Sequence, residues 1–168
     1  MPLVSVRSRR IRYWWVAGIA CLAPALLGQT LRLSSASASR GDQITVELSL
    51  ESPAGKEPLA LQWETKVPVA TFGPIDDKSF TGATAQDTGK SLNCAVKEKN
   101  SDSYISRCIL AGGQKPIPNG PVARLRLRIP MSAPVGEAHI QVENATVASR
   151  EAKAVSLVPI DTVVMVRR

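Results

Sequence analysis

The chain has 168 residues, 44% hydrophobic and only 4% aromatic, with 21 Lys and Arg against 14 Asp and Glu. That length suits one domain with a core of its own. The formal charge of +7 invites a nucleic-acid reading, but four of the cations (Arg7, Arg9, Arg10 and Arg12) crowd the first thirty residues with no acid among them. Without them 17 cations face 14 anions, a net +3, and no nucleic-acid partner is expected.

In chain order, the basic head is followed by an apolar run from Trp14 to Leu27, broken by small residues and Pro24. This is the layout of a secretory signal peptide. The run is about fourteen residues, short of the ~20 that span a bilayer as a relaxed helix. Residues 1–29 are therefore expected to be a signal and 30–168 one exported domain, periplasmic, extracellular or on the surface of a bacterium. The membrane is met only through the export signal. An uncleaved anchor, or lipid attachment at Cys21, is the alternative.

After residue 30 the periodicity is two. Leu31-Arg32-Leu33 opens a short strand, and the serine-rich stretch after it gives way to a turn at Gly41-Asp42. In QITVELSLE (43–51), Ile44, Val46, Leu48 and Leu50 face one way and Thr45, Glu47 and Ser49 the other, a half-buried strand. Leu59, Leu61 and Trp63 alternate next. From Gly73 to Lys90 the pattern weakens into loop, with a helical turn near Asp76. SLNCAVKEK and YISRCILAG form a hairpin across Asn100–Ser103, and Asn119-Gly120 ends the loop that follows. VARLRLRIP (122–130) sets Ala123, Leu125, Leu127 and Ile129 against Arg124, Arg126 and Arg128. Further strands are expected at His139–Val142, 144–149 and 155–166. No segment after residue 30 shows a helical stripe, and the connections are too short for crossover helices. The expected fold is all-β, an antiparallel two-sheet sandwich.

A hairpin turning about Ser101 pairs residue i with 202 − i, placing Cys94 opposite Cys108. Directly opposed positions approach disulfide geometry, so a structural disulfide is expected, with two buried thiols as the alternative. The triplet Arg124, Arg126 and Arg128 cannot be core, because unpaired burial of charge is prohibitive. It is either a solvated face, offset by Glu47, Glu137 or Glu143 and discouraging edge pairing, or a binding face for an acidic protein or glycan, since the guanidinium fork meets carboxylates bidentately.

No catalytic arrangement is visible. His139 has no Ser or Cys elbow near it, and Asp76, Asp77 and Asp87 lack metal-ligand spacing. Neither enzymatic activity nor a cofactor or metal is expected. Asn144-Ala145-Thr146 matches a glycan-acceptor sequon. Of the aromatics past the signal, Trp63 shares the parity of Leu59 and Leu61 and belongs to the core, whereas Tyr104, flanking the hairpin, is open to exposure. With Phe72 and Phe80 they make a thin supply for a sugar-stacking platform.

Four stretches carry a family resemblance: GDQITVELSLES (41–52), LALQWETKVPVATF (59–72), NGPVARLRLRIPMSAPVGEAHIQVENATVAS (119–149) and IDTVVMV (160–166). Together they resemble the cohesin family, in particular the divergent cohesin-like modules of bacterial exported proteins. The resemblance implies a jelly-roll sandwich of about nine strands, related to carbohydrate-binding sandwiches. It further implies a non-catalytic module that recognises a protein, dockerin-like or another exported protein, through one sheet face in polysaccharide-processing assemblies. A carbohydrate-binding domain taking polysaccharide directly, or an assembly domain of a surface or secretion apparatus, are the other readings.

Overall fold

The computed structural model describes residues 28–83, 88–99 and 101–168. Most of the expected signal, residues 1–27, and Asp87 lie outside the described residues.

Eleven strands follow one another: β1 (Thr30–Leu33), β2 (Ala36–Ser39), β3 (Gln43–Glu51), β4 (Ala60–Pro68), β5 (Phe80–Gly82), β6 (Ser91–Lys99), β7 (Ser103–Ala111), β8 (Gly120–Arg128), β9 (Gly136–Ala148), β10 (Ala154–Ser156) and β11 (Ile160–Arg167). They form a four-stranded sheet in the order β1-β3-β8-β5 and a seven-stranded sheet in the order β2-β11-β9-β4-β7-β6, with β10 against β9. Pairing is antiparallel except between β2 and β11, which run parallel.

The expected count of about nine is corrected to eleven. Two additions, β2 and β5, are strands of three or four residues, and β2 contains too few large apolar side chains to show an alternating pattern. The strand expected at 155–166 is two, β10 and β11, interrupted at Leu157–Pro159. In the other direction, the strands expected at 139–142 and 144–149 are one strand, β9. Its inward residues change parity from Ala138, Ile140 and Val142 to Ala145 and Val147. A bulge causes the change: Asn144 has φ of +51°, and the register against β4 slips between Gln62 and Glu64.

The sandwich exists because each long strand has one apolar face. Ile44, Val46, Leu48 and Leu50 from β3 and Ala123, Leu125 and Leu127 from β8 supply the small sheet's inner face. Leu61, Trp63 and Val67 from β4, Tyr104, Cys108 and Leu110 from β7, and Val164 and Val166 from β11 supply the facing layer. Full burial of each Val, Leu or Ile side chain among these contributes roughly 1.5–3 kcal/mol. Ser34, at the break between β1 and β2, ties the sheets together. Its backbone N–H donates to the Glu47 carbonyl, its hydroxyl accepts from Glu47 N, and its carbonyl accepts from the Thr162 hydroxyl at 3.3 Å.

Loops are held by side chains acting as backbone. Asn119 accepts from Ser52 N at 2.7 Å and donates to Ser52 O at 2.9 Å, extending β3 by one step. A helical turn, Asp77–Ser79, lies where one was expected, and Asp76 caps it. At the far end of the β6–β7 hairpin the buried Lys90 ammonium donates to the carbonyls of Gly112 and Gly113 at 2.5 and 3.3 Å, and burial lowers its pKa. Gly113 has φ of +57°, and a Cβ there would lie 2.7 Å from the Thr88 carbonyl oxygen. No described helix is long and apolar enough to cross a membrane.

Candidate functional site

The two outer faces differ in chemistry. On the small sheet, β3 contributes Gln43, Thr45, Glu47, Ser49 and Glu51, opposite the ladder Arg124, Arg126 and Arg128 of β8. Arg124 sits across from Glu47 and donates to its Oε2 at 3.0 Å, while Arg32 pairs with Glu51 at the sheet's edge. Arg126 and Arg128 are exposed, opposite Thr45 and Gln43, with no carboxylate in ion-pair range among the described residues. Glu137 and Glu143 cannot serve as offsets, because β9 belongs to the other sheet. Beside the ladder the outer positions of β3 are polar, and the apolar Pro121 stands opposite Ser49 at the start of β8.

The large sheet's outer face is built around an acid. Glu64 alternates with Trp63 and points outward, yet it is only 5% exposed. The cause is a ring of neighbours from three strands. Arg107, directly opposite on β7, donates Nε and Nη2 to Oε1 at 3.0 and 2.6 Å. Lys97 on β6 reaches the same oxygen at 3.2 Å. Asn144, turned by the β9 bulge, donates Nδ2 to Oε2 at 2.7 Å. Asn144 most, then Arg107, then Lys97 hold the carboxyl down to about 2 against the opposing effect of its own burial. One step along β4, Lys66 pairs with Glu143.

Around this cluster the face is apolar in places. Ile105 and Ile109 flank Arg107 on the outer side of β7, and Ile109 is 41% exposed. Beside Ile109 a shallow depression of about 270 Å³ is floored by Ala60, Ala148 and Ala154 and edged by Gln62 and Thr146.

Sequence reasoning did not single out Glu64, Lys97 or Arg107. The available signal was parity alone, an acid and two cations on the outward side of three adjacent strands, without knowledge that the strands are neighbours. Asn144, noted only as a sequon, has its amide engaged with Glu64. Cys94 and Cys108 are opposite in register and joined by a disulfide, with Cα atoms 4.1 Å apart. The expected 202 − i register holds from Ser91 to Val96, then shifts at a bulge before Glu98.

Tyr104, left open to exposure, is buried: it lies opposite Val67 on the inner side of β7. All four aromatic side chains of the described residues (Trp63, Phe72, Phe80 and Tyr104) are inside. His139 pairs with Asp161 at 3.2 Å on the surface. No group of three or more metal-ligating side chains gathers among the described residues. A cleft of about 420 Å³ near Gly28 is lined by mixed charges, Lys56, Glu57, Arg150, Glu151 and Lys153.

Two packed sheets with the described aromatics buried between them define an all-β sandwich. No protein-family model and no curated protein sequence matches the chain. Its fold is cohesin-like. The sixth cohesin of scaffoldin B from Acetivibrio cellulolyticus, in complex with a Cel5 dockerin, superposes with a TM-score of 0.65 at 16% identity, over 83% of this chain and 99% of that one. A non-cellulosomal cohesin from the archaeon Archaeoglobus fulgidus gives 0.63 at 13%, over 84% and 92%. The cohesin module of a family 33 glycoside hydrolase from Clostridium perfringens gives 0.62 at 13%, over 83% and 96%.

Proposed function

We propose that the chain is an exported, non-catalytic protein-recognition module of cohesin type, which binds through the outer face of the large sheet. The observation that carries this is the composition of that face. The exposed Ile109 and the half-buried Ile105 flank Arg107 in a preset polar cluster, the mixture that distinguishes a recognition patch from a merely solvated surface. Stacked sugars would use exposed rings, and the four described rings are inside.

The similarity to a cohesin seen in complex with a dockerin supports a dockerin-like or other exported protein as the partner. Residues 1–29 act as the export signal and 30–168 as the delivered domain, supported by the charged head and apolar run. The strand path is read as a jelly roll, supported by the parallel pair that sets the early strand β2 beside β11.

The arginine ladder gives a second reading, favoured by the exposure of Arg126 and Arg128 without described acidic partners. One experiment separates the two. The exported protein, its Ile109→Glu variant and its Arg124→Ser/Arg126→Ser/Arg128→Ser variant are used as bait against the native exported fraction. Loss of the bound proteins with Ile109→Glu, and their retention by the ladder variant, supports the large-sheet face. The opposite pattern assigns binding to the ladder.

A further inference from the structure

We propose that the Lys97–Arg107 pair is a preset anchor for a carboxylate, so that the partner segment docking on this face is acidic, with an apolar side chain beside the acid. The inference rests on the large-sheet reading above and adds the chemistry of what binds there.

The charges of the cluster do not balance internally. Two cations share one carboxylate, and both remain about half exposed, with side-chain exposures of 50% for Lys97 and 45% for Arg107, while Glu64 is covered. Their positions are fixed by hydrogen bonds to a group that stays ionised down to about pH 2. Flexible cations lose side-chain freedom when they clasp a ligand, and this cost falls when another group already orders them. Arg107 also has an aliphatic neighbour on each side, Ile105 and Ile109, which shield its outward edge from water when covered. An incoming carboxylate therefore meets two ordered positive heads over a site of net positive charge, the arrangement that favours charge-assisted bonds.

The alanine-floored depression beside Ile109 accepts the second element, an aliphatic side chain. Ile109 and Arg107 are two residues apart on β7, about 7 Å in an extended strand. An extended partner carrying an acid and an aliphatic residue at positions i and i+2 spans the same distance. The small sheet offers its ladder no such neighbour, because the ladder's partners on β3 are Gln43, Thr45 and Glu47.

The test is a titration of the isotope-labelled exported chain, followed by amide chemical shifts. The probes are capped extended peptides carrying Leu and Glu two positions apart, in both orders, and their Leu and Gln counterparts. Shifts are expected at Lys97, Arg107 and Ile109, with the Glu peptides bound on the order of tenfold more tightly than the Gln peptides at low salt. Lys97→Gln, which leaves Arg107 and Asn144 on Glu64, should reduce that preference about threefold. The peptide comparison on the unaltered chain stands even if an Arg107 variant fails to fold.

Equal affinity for Glu and Gln peptides on this face would overturn acid recognition while leaving the face as the binding surface. Shifts confined to Arg124, Arg126 and Arg128 would overturn both. No shift with any peptide up to millimolar concentration would overturn the acidic anchor, and the Ile109→Glu bait then judges the face alone.

Discussion

Asn144 and Glu64 are eighty residues apart, yet the Asn144 amide donates to Glu64 Oε2 at 2.7 Å. The bond depends on the β9 bulge, where Asn144 takes φ of +51°, a conformation that Asn and Gly tolerate better than other residues. Backbone irregularity and acid burial are thus one feature. Asn144→Ala should lose the hydrogen bond to a buried charge and strain the bulge, a combined destabilisation of about 2–3 kcal/mol. Asn144→Gly relieves the strain alone and should recover about 1 kcal/mol of this. Urea unfolding of the two variants checks both figures. Equal destabilisation would remove the backbone contribution.

Acid should weaken the fold through Glu64. Its folded pKa is lowered to about 2 from 4.5, chiefly by Asn144 and then Arg107. A carboxyl with a depressed folded pKa contributes stability that is fully present above the unfolded value and lost as pH falls through the folded one. The window is therefore about pH 4.5 down to about 2. Because Arg107 and Lys97 are half exposed, the loss is discounted to on the order of 2–3 kcal/mol. Denaturation midpoints measured across that window should fall steeply for the unaltered protein and less steeply for Glu64→Gln.

The Cys94–Cys108 bond closes a short loop, with the two residues 14 apart in sequence. Reduction should cost about 3 kcal/mol by freeing the unfolded chain. Unfolding with and without reductant measures this, and mass analysis after alkylation without reduction should find both thiols blocked from labelling.

Ser106 is fully buried on the inner face of β7, and its hydroxyl has no hydrogen-bond partner among the described residues. Removing an unpaired buried polar group should help. Ser106→Ala is expected to be neutral or to stabilise by up to about 1 kcal/mol, read as a rise in the thermal midpoint. A clear fall would show that the hydroxyl has a partner.

The ladder should matter little to stability. Arg124→Ser breaks an exposed ion pair and should cost less than about 1 kcal/mol. Arg126→Ser and Arg128→Ser should each change stability by no more than about 0.5 kcal/mol. Larger losses would mean that the ladder has structural partners.

By itself the sequence determined the features that depend on neighbours along the chain. The period of two set the inner and outer residues of β3 and β8, and the short polar connection at Asn100–Ser103 set the register that brings Cys94 opposite Cys108. Trp63 went to the core by parity, and a helical turn was legible near Asp76. Only the tertiary structure decided which strands lie side by side. Short strands such as β2 and β5 owe their existence to neighbours across the sheet, so their own residues do not announce them. Tyr104 became core because Val67 stands opposite it, and the ladder was separated from Glu137 and Glu143 because β8 and β9 belong to different sheets.

Glu64 shows the division most clearly. Alternation places it outside, and it does lie on the outer face. What buries it are Lys97, Arg107 and Asn144, at separations of 33, 43 and 80 residues. Local periodicity reports which way a side chain points. It holds no information on what covers that side chain, because coverage is a property of strands brought together only by the packed sheet.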